Sequence, residues 1–269
     1  VHLRQDTLTV GRASRALWAP PSDHERSRDF LDVPTQIPEA PKKLLEAAQP
    51  GNVRVDDLVR VLPGHPAHVI LQEARETQAD VIVLGMHKHK GLVDFGSTAR
   101  QVLAGAPRSV WLQKQPFTPI QRVLVPIDLS PDSLNALATA CAMAKVFKAR
   151  VRAIHCFQSS RFMAGVWPDY PDFGTAYALD DIRRATLADF EHIMEAFDWM
   201  GVEHEYDFMD GDPIQKVLEL ASTADLVVMG THGRTGLSSA VLGNVAYSVM
   251  KHTEKPVLAI RHPERKLIS

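Results

Sequence analysis

Two stretches of this chain repeat one another, and that repeat limits the possible folds more than any other feature. Residues 79–92 read ADVIVLGMHKHKGL, and residues 224–237 read ADLVVMGTHGRTGL. Both carry Ala-Asp, four apolar residues, a glycine, a histidine two positions on, and Gly-Leu. The match extends upstream, where Gly64-His65-Pro66 precedes Gly85 and Gly211-Asp212-Pro213 precedes Gly230. Downstream, residues 106–112 correspond to residues 254–260. A period of about 145 residues means a duplicated domain rather than a solenoid. A length of 269 residues fits two domains. The repeat places them at 1–116 and 117–269.

The second copy alternates strands and helices. Arg122–Ile127 is a short apolar run, hence a buried strand. Ser130 and Pro131 supply an N-cap and a first-turn proline for the next helix. Its apolar stripe is Leu134, Leu137, Cys141 and Ala144. Val151–Phe157 is a second strand. Ile182, Ala185, Phe190, Ile193, Phe197 and Met200 mark a long amphipathic helix stopped at Gly201. Val202–Phe208 is a strand, Asp212-Pro213 caps a helix through Ala221, and Asp225–Met229 is a strand. Gly243–Lys251 is a helix and Val257–Arg261 the closing strand. Such alternation predicts a parallel sheet covered on both faces, a doubly wound α/β fold. The full expectation is two five-stranded sheets of Rossmann-like type, the first lacking its first strand.

The first copy lacks its beginning. Val1-His2-Leu3 resembles the end of a second strand, beside Ala153–Cys156, and nothing corresponds to 121–150. Either roughly thirty residues precede Val1 in the natural protein, since losing a central strand orphans backbone groups, or the repeat has diverged. Residues 15–60 carry Pro20, Pro21, Pro34, Pro38, Pro41 and Pro50, the composition of an irregular surface segment.

Charge excludes one class of function. With 30 Lys+Arg against 32 Asp+Glu, the net charge of −2 offers no large basic face for nucleic acid. No run of about 18 apolar residues suggests a membrane span, and the opening VHLRQDTLTV lacks the apolar core of a signal peptide. Two cysteines, Cys141 and Cys156, make neither a disulfide scaffold nor a zinc ribbon. A reduced, cytoplasmic setting is expected.

The chemistry concentrates at Met229-Gly230-Thr231-His232-Gly233-Arg234-Thr235-Gly236, closing at Gly243-Asn244-Val245. This stretch leaves a buried strand and enters a helix. Glycine lets backbone N–H groups approach an anion closely, and a helix N-terminus adds donors and the positive dipole end. The pattern reads as a phosphate cradle or as plain turn chemistry. It is neither a Walker A loop nor the short dinucleotide fingerprint. Asp128, just after the first strand, would face the same strand ends if the two strands are neighbours. It would accept hydrogen bonds from a ribose or adenine amine, or serve the cap of the next helix.

These residues resemble the universal stress proteins, in tandem form. The ATP-binding members of that family carry Gly, two residues, Gly, nine residues, Gly, then Ser or Thr. Here Gly230, Gly233 and Gly243 keep the spacing, and Asn244 stands where the hydroxyl residue would be. Val123–Ser130 is similar to the family's first strand. The Gly-Arg-Thr-Gly-Leu stretch and the Leu242-Gly243-Asn244 ending are similar to the tandem proteins of enterobacteria. The resemblance implies an adenine-nucleotide-hydrolase-like fold. It places Pro126 and Asp128 near the adenosine, Cys156 or Phe157 at the base, and Met229 and Gly230 along adenine and ribose. It places His232, Gly233, Gly243, Asn244 and Val245 around the phosphates. Arg234 would complement phosphate charge or simply be a solvated loop arginine.

The first copy departs from the pattern, with Lys88 in place of the second glycine and seven residues before Gly96. It is expected to bind no ATP, or another anion through Lys88 and Lys90. His65, His68, His87 and His89 are read as loop histidines rather than metal ligands, with no carboxylate or cysteine beside them. A Cys156–His155 nucleophile is not expected, since strand neighbours point to opposite faces. The resemblance implies a cytoplasmic stress-response regulator that binds ATP, with Mg²⁺ held by phosphates and water, and is at most a weak ATPase. The alternative is a nucleotide-independent interaction scaffold. In either case 109–113 and 257–261 are the strands expected to pair the two halves, as in an intramolecular pseudo-dimer, with a homodimer of whole chains also open. Neither nucleic acid nor membrane is an expected partner.

Overall fold

The structure is a computed structural model that describes residues 16–17, 59–60, 62–86, 88–89, 92–93, 96–115, 118–159, 173–231 and 242–261. The chain divides into two compact units, Val1–Asp80 and Val81–Ser269. The expected strand at Val1–Leu3 and most of the proline-rich segment lie outside the described residues.

In the first unit, β1 (Ala16–Leu17) and β2 (Val59–Arg60) pair in parallel. Helix α1 (Pro66–Glu76) follows. Its start shows why the Gly-x-Pro signature occurs twice in the sequence. Gly64 has φ +130° and Gly211, its counterpart in the second unit, +134°. In each copy the glycine takes a conformation that side chains disfavour, and a proline two residues on opens a helix. Only the second copy adds a side-chain cap, the Asp212 carboxylate accepting from the Gln215 N–H at 2.9 Å.

Among the described residues the second unit is built on one seven-stranded sheet. Its strands are β3 (Val81–Gly85), β6 (Ser109–Gln113), β7 (Arg122–Pro126), β8 (Arg150–Phe157), β9 (His204–Asp210), β10 (Leu226–Gly230) and β11 (Val257–Ile260). Two short strands, β4 (Lys88–His89) and β5 (Leu92–Val93), form a separate antiparallel pair. The order across the large sheet is β3-β6-β11-β10-β7-β8-β9. The second repeat supplies β9-β8-β7-β10-β11, all parallel, which is the doubly wound α/β order with its reversal between β7 and β10. From the first repeat, β3 and β6 join it among the described residues. Two strands expected in the first sheet, β3 and β6, are therefore continuous with the second. The join is antiparallel, with Leu258 opposite Trp111 and Val257 opposite Leu112. These are the two strands expected to pair the halves.

Among the described residues the helices of this unit are α2 (Ser97–Gly105), α3 (Pro131–Phe147), α4 (Phe173–Ala196), α5 (Pro213–Ala221) and α6 (Asn244–His252). Ser130 caps α3 as its sequence predicts, accepting from the Ser133 N–H at 3.2 Å. Helices α3 and α4 cover one sheet face, where Leu137, Ala140, Cys141, Phe190 and Met194 pack on Val123, Val125, Val151, Ala153, Leu226 and Val228. Helices α5 and α6 pack together over the other face. Helix α4 ends at Ala196, short of Gly201. Phe197 keeps the apolar phase but belongs to the turn, where the Trp199 indole N–H caps the Met194 carbonyl at 3.0 Å.

At the seam, the buried Lys114 ammonium donates to the carbonyl oxygens of Met250 and Thr253, the latter at 2.8 Å. Burial lowers its pKa from 10.5 to about 8. Between these values the unfolded chain binds the extra proton, so this group makes stability rise with pH across that window. Urea melts of wild type and Lys114→Met at pH 7.5, 9 and 10.5 check this. The wild type should gain on the variant as pH rises, and a constant difference would contradict the assignment.

Candidate functional site

Strands β7 and β10 are neighbours, yet their pairing is brief. Leu226 opposes Val123, Val227 opposes Leu124, and the ladder stops there. The other two ladders continue. β7 stays with β8 through Pro126 opposite Ile154, and β10 stays with β11 through Gly230 opposite Ile260. Side chains and turns carry the separation further. The Ile127 N–H donates to the Ile154 carbonyl at 2.7 Å, and His155 Nδ1–H donates to the Ile127 carbonyl at 2.7 Å. The Thr231 N–H donates to the Ile260 carbonyl at 3.1 Å. The exits of β7 and β10 are thus drawn to opposite sides. This is the crevice beyond the carboxyl strand ends, at the reversal of strand order, where ligands of open α/β sheets sit.

Pro126 and Asp128 stand on one side of this divergence. Asp128 is half-buried, and its Oδ1 accepts from the Ser130 N–H at 3.0 Å and the Ser130 hydroxyl at 2.5 Å. Leu129 between them has φ +65°. An aspartate turn therefore presents the capping serine of α3, and one carboxylate oxygen of Asp128 supports that cap.

Met229, buried, and Gly230 stand on the other side. From there the Thr231 carbonyl accepts the Gly243 N–H at 2.9 Å, which ties the end of β10 to the start of α6. Gly243 is the N-cap of α6 and supplies no side-chain cap. The next three N–H groups, of Asn244, Val245 and Ala246, have no acceptor within the helix. Asn244 is exposed and Val245 half-buried. Gly243 thus uses its own N–H internally, and the candidate donors of the helix start belong to the three residues after it. His232, Gly233 and Arg234 lie outside the described residues.

Cys156 and Phe157 go to opposite faces. His155 and Phe157 share the α4 face, where His155 lies 5.7 Å from Phe190 and 5.3 Å from Phe208 between ring centroids. Phe157 lies 6.2 Å from Phe208. Cys156 alternates to the face of α5 and α6. Of the two, it shares the face of the α6 N-terminus. Burial pushes its thiol up to about 11, Lys216 pulling it down and Asp212 adding to the rise. It is a protonated thiol at neutral pH, and the divided faces leave no Cys156–His155 pair.

No motif marks the ion pair beside this site. A hollow of about 270 Å³ at the ends of β8 and β9 is lined by Phe157, Ser159, Leu179, Asp180, Arg183, Asp210 and Gly211. Arg183 donates to both oxygens of Asp210, each at 2.7 Å, and lies 5.4 Å from the Phe208 ring centroid. The Arg183 hydrogen bond holds the Asp210 carboxyl below its ordinary range. Nothing local marks such a pair, whose members are 27 positions apart. In the first repeat, the stretch that replaces the glycine loop contains the paired strands β4 and β5, with Lys88 opposite Val93. Among the described residues no three His, Cys, Asp or Glu side chains form a metal cluster.

The fold is that of a doubly wound α/β protein, with the candidate site at its topological switch point. The universal stress protein family model matches residues 3–114 and 119–261, and the chain belongs to that family. It is 29% identical to universal stress protein E of Salmonella typhi over 85% of this chain and 74% of that protein. It is 32% identical to a universal stress protein of Methanocaldococcus jannaschii over 54% of this chain and 85% of that one. A universal stress protein structure from Archaeoglobus fulgidus matches with TM-score 0.55 and 20% identity, covering 85% of this chain and 78% of that one, which shows the shared fold.

Proposed function

We propose that the second repeat binds an adenine nucleotide and that the chain is a cytoplasmic stress-response regulator. The observation that carries this reading is the early end of β7–β10 pairing, with the α6 N-terminus at the β10 side of the opening. Asn244, Val245 and Ala246 N–H groups would take the phosphates, with Gly233 and His232 from the loop. Met229, Gly230, Pro126, Asp128 and Cys156 would line the adenosine. Mg²⁺ fits as an ion held by phosphates and water, since the carboxylates here already serve a cap or an ion pair. In this reading the chain is at most a weak ATPase, with binding rather than turnover as its task.

The second reading is a nucleotide-independent scaffold. Asn244 in place of a hydroxyl residue favours it, as does the β4–β5 pair in the first repeat. In both readings the β6–β11 ladder supports an intramolecular pseudo-dimer, with its partner protein unidentified. No described helix is long and apolar enough to cross a membrane. Mass spectrometry of the supernatant after denaturing the purified chain separates the two readings. Adenine nucleotide near one equivalent supports the nucleotide-binding regulator. A chain that carries none and takes up none from millimolar ATP is the scaffold.

A further inference from the structure

At the seam between β6 and β11, each repeat holds the closing helix of the other. Lys114 directly follows β6 of the first repeat. Its Nζ donates to the Met250 carbonyl and, at 2.8 Å, to the Thr253 carbonyl, at the C-terminal end of α6 in the second repeat. Arg261 directly follows β11 of the second repeat. Its Nη1 donates to the Ala104 carbonyl at 3.1 Å, in the last turn of α2 in the first repeat. Helices α2 and α6 are matching elements of the two copies, as are β6 and β11. The two contacts are analogous, each a cation just past a closing strand on the end of the other repeat's closing helix, although their positions are offset: Arg261 matches Gln113 rather than Lys114 in the repeat.

The chemistry suits the task. The last carbonyls of a helix have no partner within it, and the negative end of the helix dipole favours a cation. Lys114 is 6% exposed, and Thr253 beside it is 4% exposed. Among the described residues no carboxylate pairs with Lys114, so its charge is directed at the end of α6. A solvated surface lysine would not be arranged so.

We propose that this exchange of caps is a positioning device. Lys114, although it belongs to the first repeat, sets the place of α6 and with it the Asn244, Val245 and Ala246 amides. Arg261 holds α2 in return. Helix α6 is nine residues long, a stiff rod, so a shift at its C-terminal end is felt at its first turn. A first repeat that departs from the glycine pattern thereby keeps a role in the site of the second. The consequence for ligand rests on the proposed nucleotide site, while the consequence for the helices does not.

The test uses the full chain and three variants. Lys114→Met keeps length and removes charge, Lys114→Arg restores charge, and Arg261→Met probes the opposite cap. Hydrogen exchange is read in peptides covering 97–105 and 244–253, with 131–147 as internal reference, and ATP affinity is read by calorimetry. Lys114→Met should speed exchange in α6 about ten-fold relative to α3, the size of a lost charged hydrogen bond. It should also weaken ATP several-fold, and Lys114→Arg should restore most of both. Arg261→Met should loosen α2 and leave α6 unchanged. Unaltered α6 exchange in Lys114→Met, or equal acceleration in every peptide, overturns the inference. So does a loosened α6 with wild-type ATP affinity. If the wild type takes up no ATP, the nucleotide reading fails and the exchange data alone decide the caps.

Discussion

Replacing Phe190 by alanine lowers the stability of the second unit by about 3–5 kcal/mol, the usual cost of deleting a buried aromatic ring. Phe190 is 1% exposed and sits where α4 meets β8 and β9. Its ring centroid lies 5.7 Å from that of His155, 5.9 Å from Tyr206 in an edge-on contact, and 6.1 Å from Phe208. Three aromatic sheet residues packed against the ring leave little room for collapse, so the cavity stays. The effect reaches the crevice, because His155 also holds the Ile127 carbonyl that keeps the exit of β7 away from β10. Urea denaturation of the purified variant gives the number. A loss below about 1 kcal/mol would mean that α4 does not pack as described.

Asp225→Ala is the second large effect, a loss of about 1–3 kcal/mol from stripping partners off two backbone donors. Asp225 Oδ2 accepts from the Arg122 N–H at 2.9 Å and the Gln121 N–H at 3.1 Å, and its Oδ1 meets Arg122 Nη2 at 3.1 Å. One side chain at the start of β10 thus fixes the start of β7, at the end where these strands do pair. Burial pushes the Asp225 carboxyl up, and the Arg122 side chain with the two N–H bonds outweighs it, holding the group below its ordinary range. The sign follows. The stabilisation is complete above the unfolded pKa of about 3.9 and is lost as pH falls through the lower folded value. Asp225→Ala should therefore be weaker than wild type at pH 7 and approach it at the acid end. Chemical denaturation at pH 7 and pH 3 tests this, and a difference that does not change with pH would contradict it. The exposed side of the Arg122 ion pair adds little in salt.

What could be read from the sequence was local or periodic. Ser130-Pro131 and Asp212-Pro213 mark helix starts because a cap and a first-turn proline act within four residues. The strands of the second repeat follow from short apolar runs, and the β6–β11 join from each run standing last in its copy. Three features were not legible for the same reason. Phe197 has the phase of α4 but turns with Trp199, and only the packed core decides that. The partner of Asp225 is 103 positions away. The crevice depends on where β7 and β10 cease to pair, which is set by His155 and Thr231 acting on other strands. The glycine spacing named the neighbourhood of the candidate site. It did not show that Gly243 spends its own N–H on Thr231.

Proline tests most directly the proposed hold of the first-turn α6 amides on a polyphosphate. Asn244 is the first residue of α6, where proline is tolerated, and Gly243 has φ −58° and ψ 142°, a conformation that suits a residue before proline. Asn244→Pro therefore keeps the helix while deleting one N–H donor and the side-chain amide. Calorimetric titration with ATP should show measurable binding to the wild type and affinity lower by roughly ten-fold or more in Asn244→Pro, at unchanged thermal stability. Equal affinity in the two proteins would contradict the account.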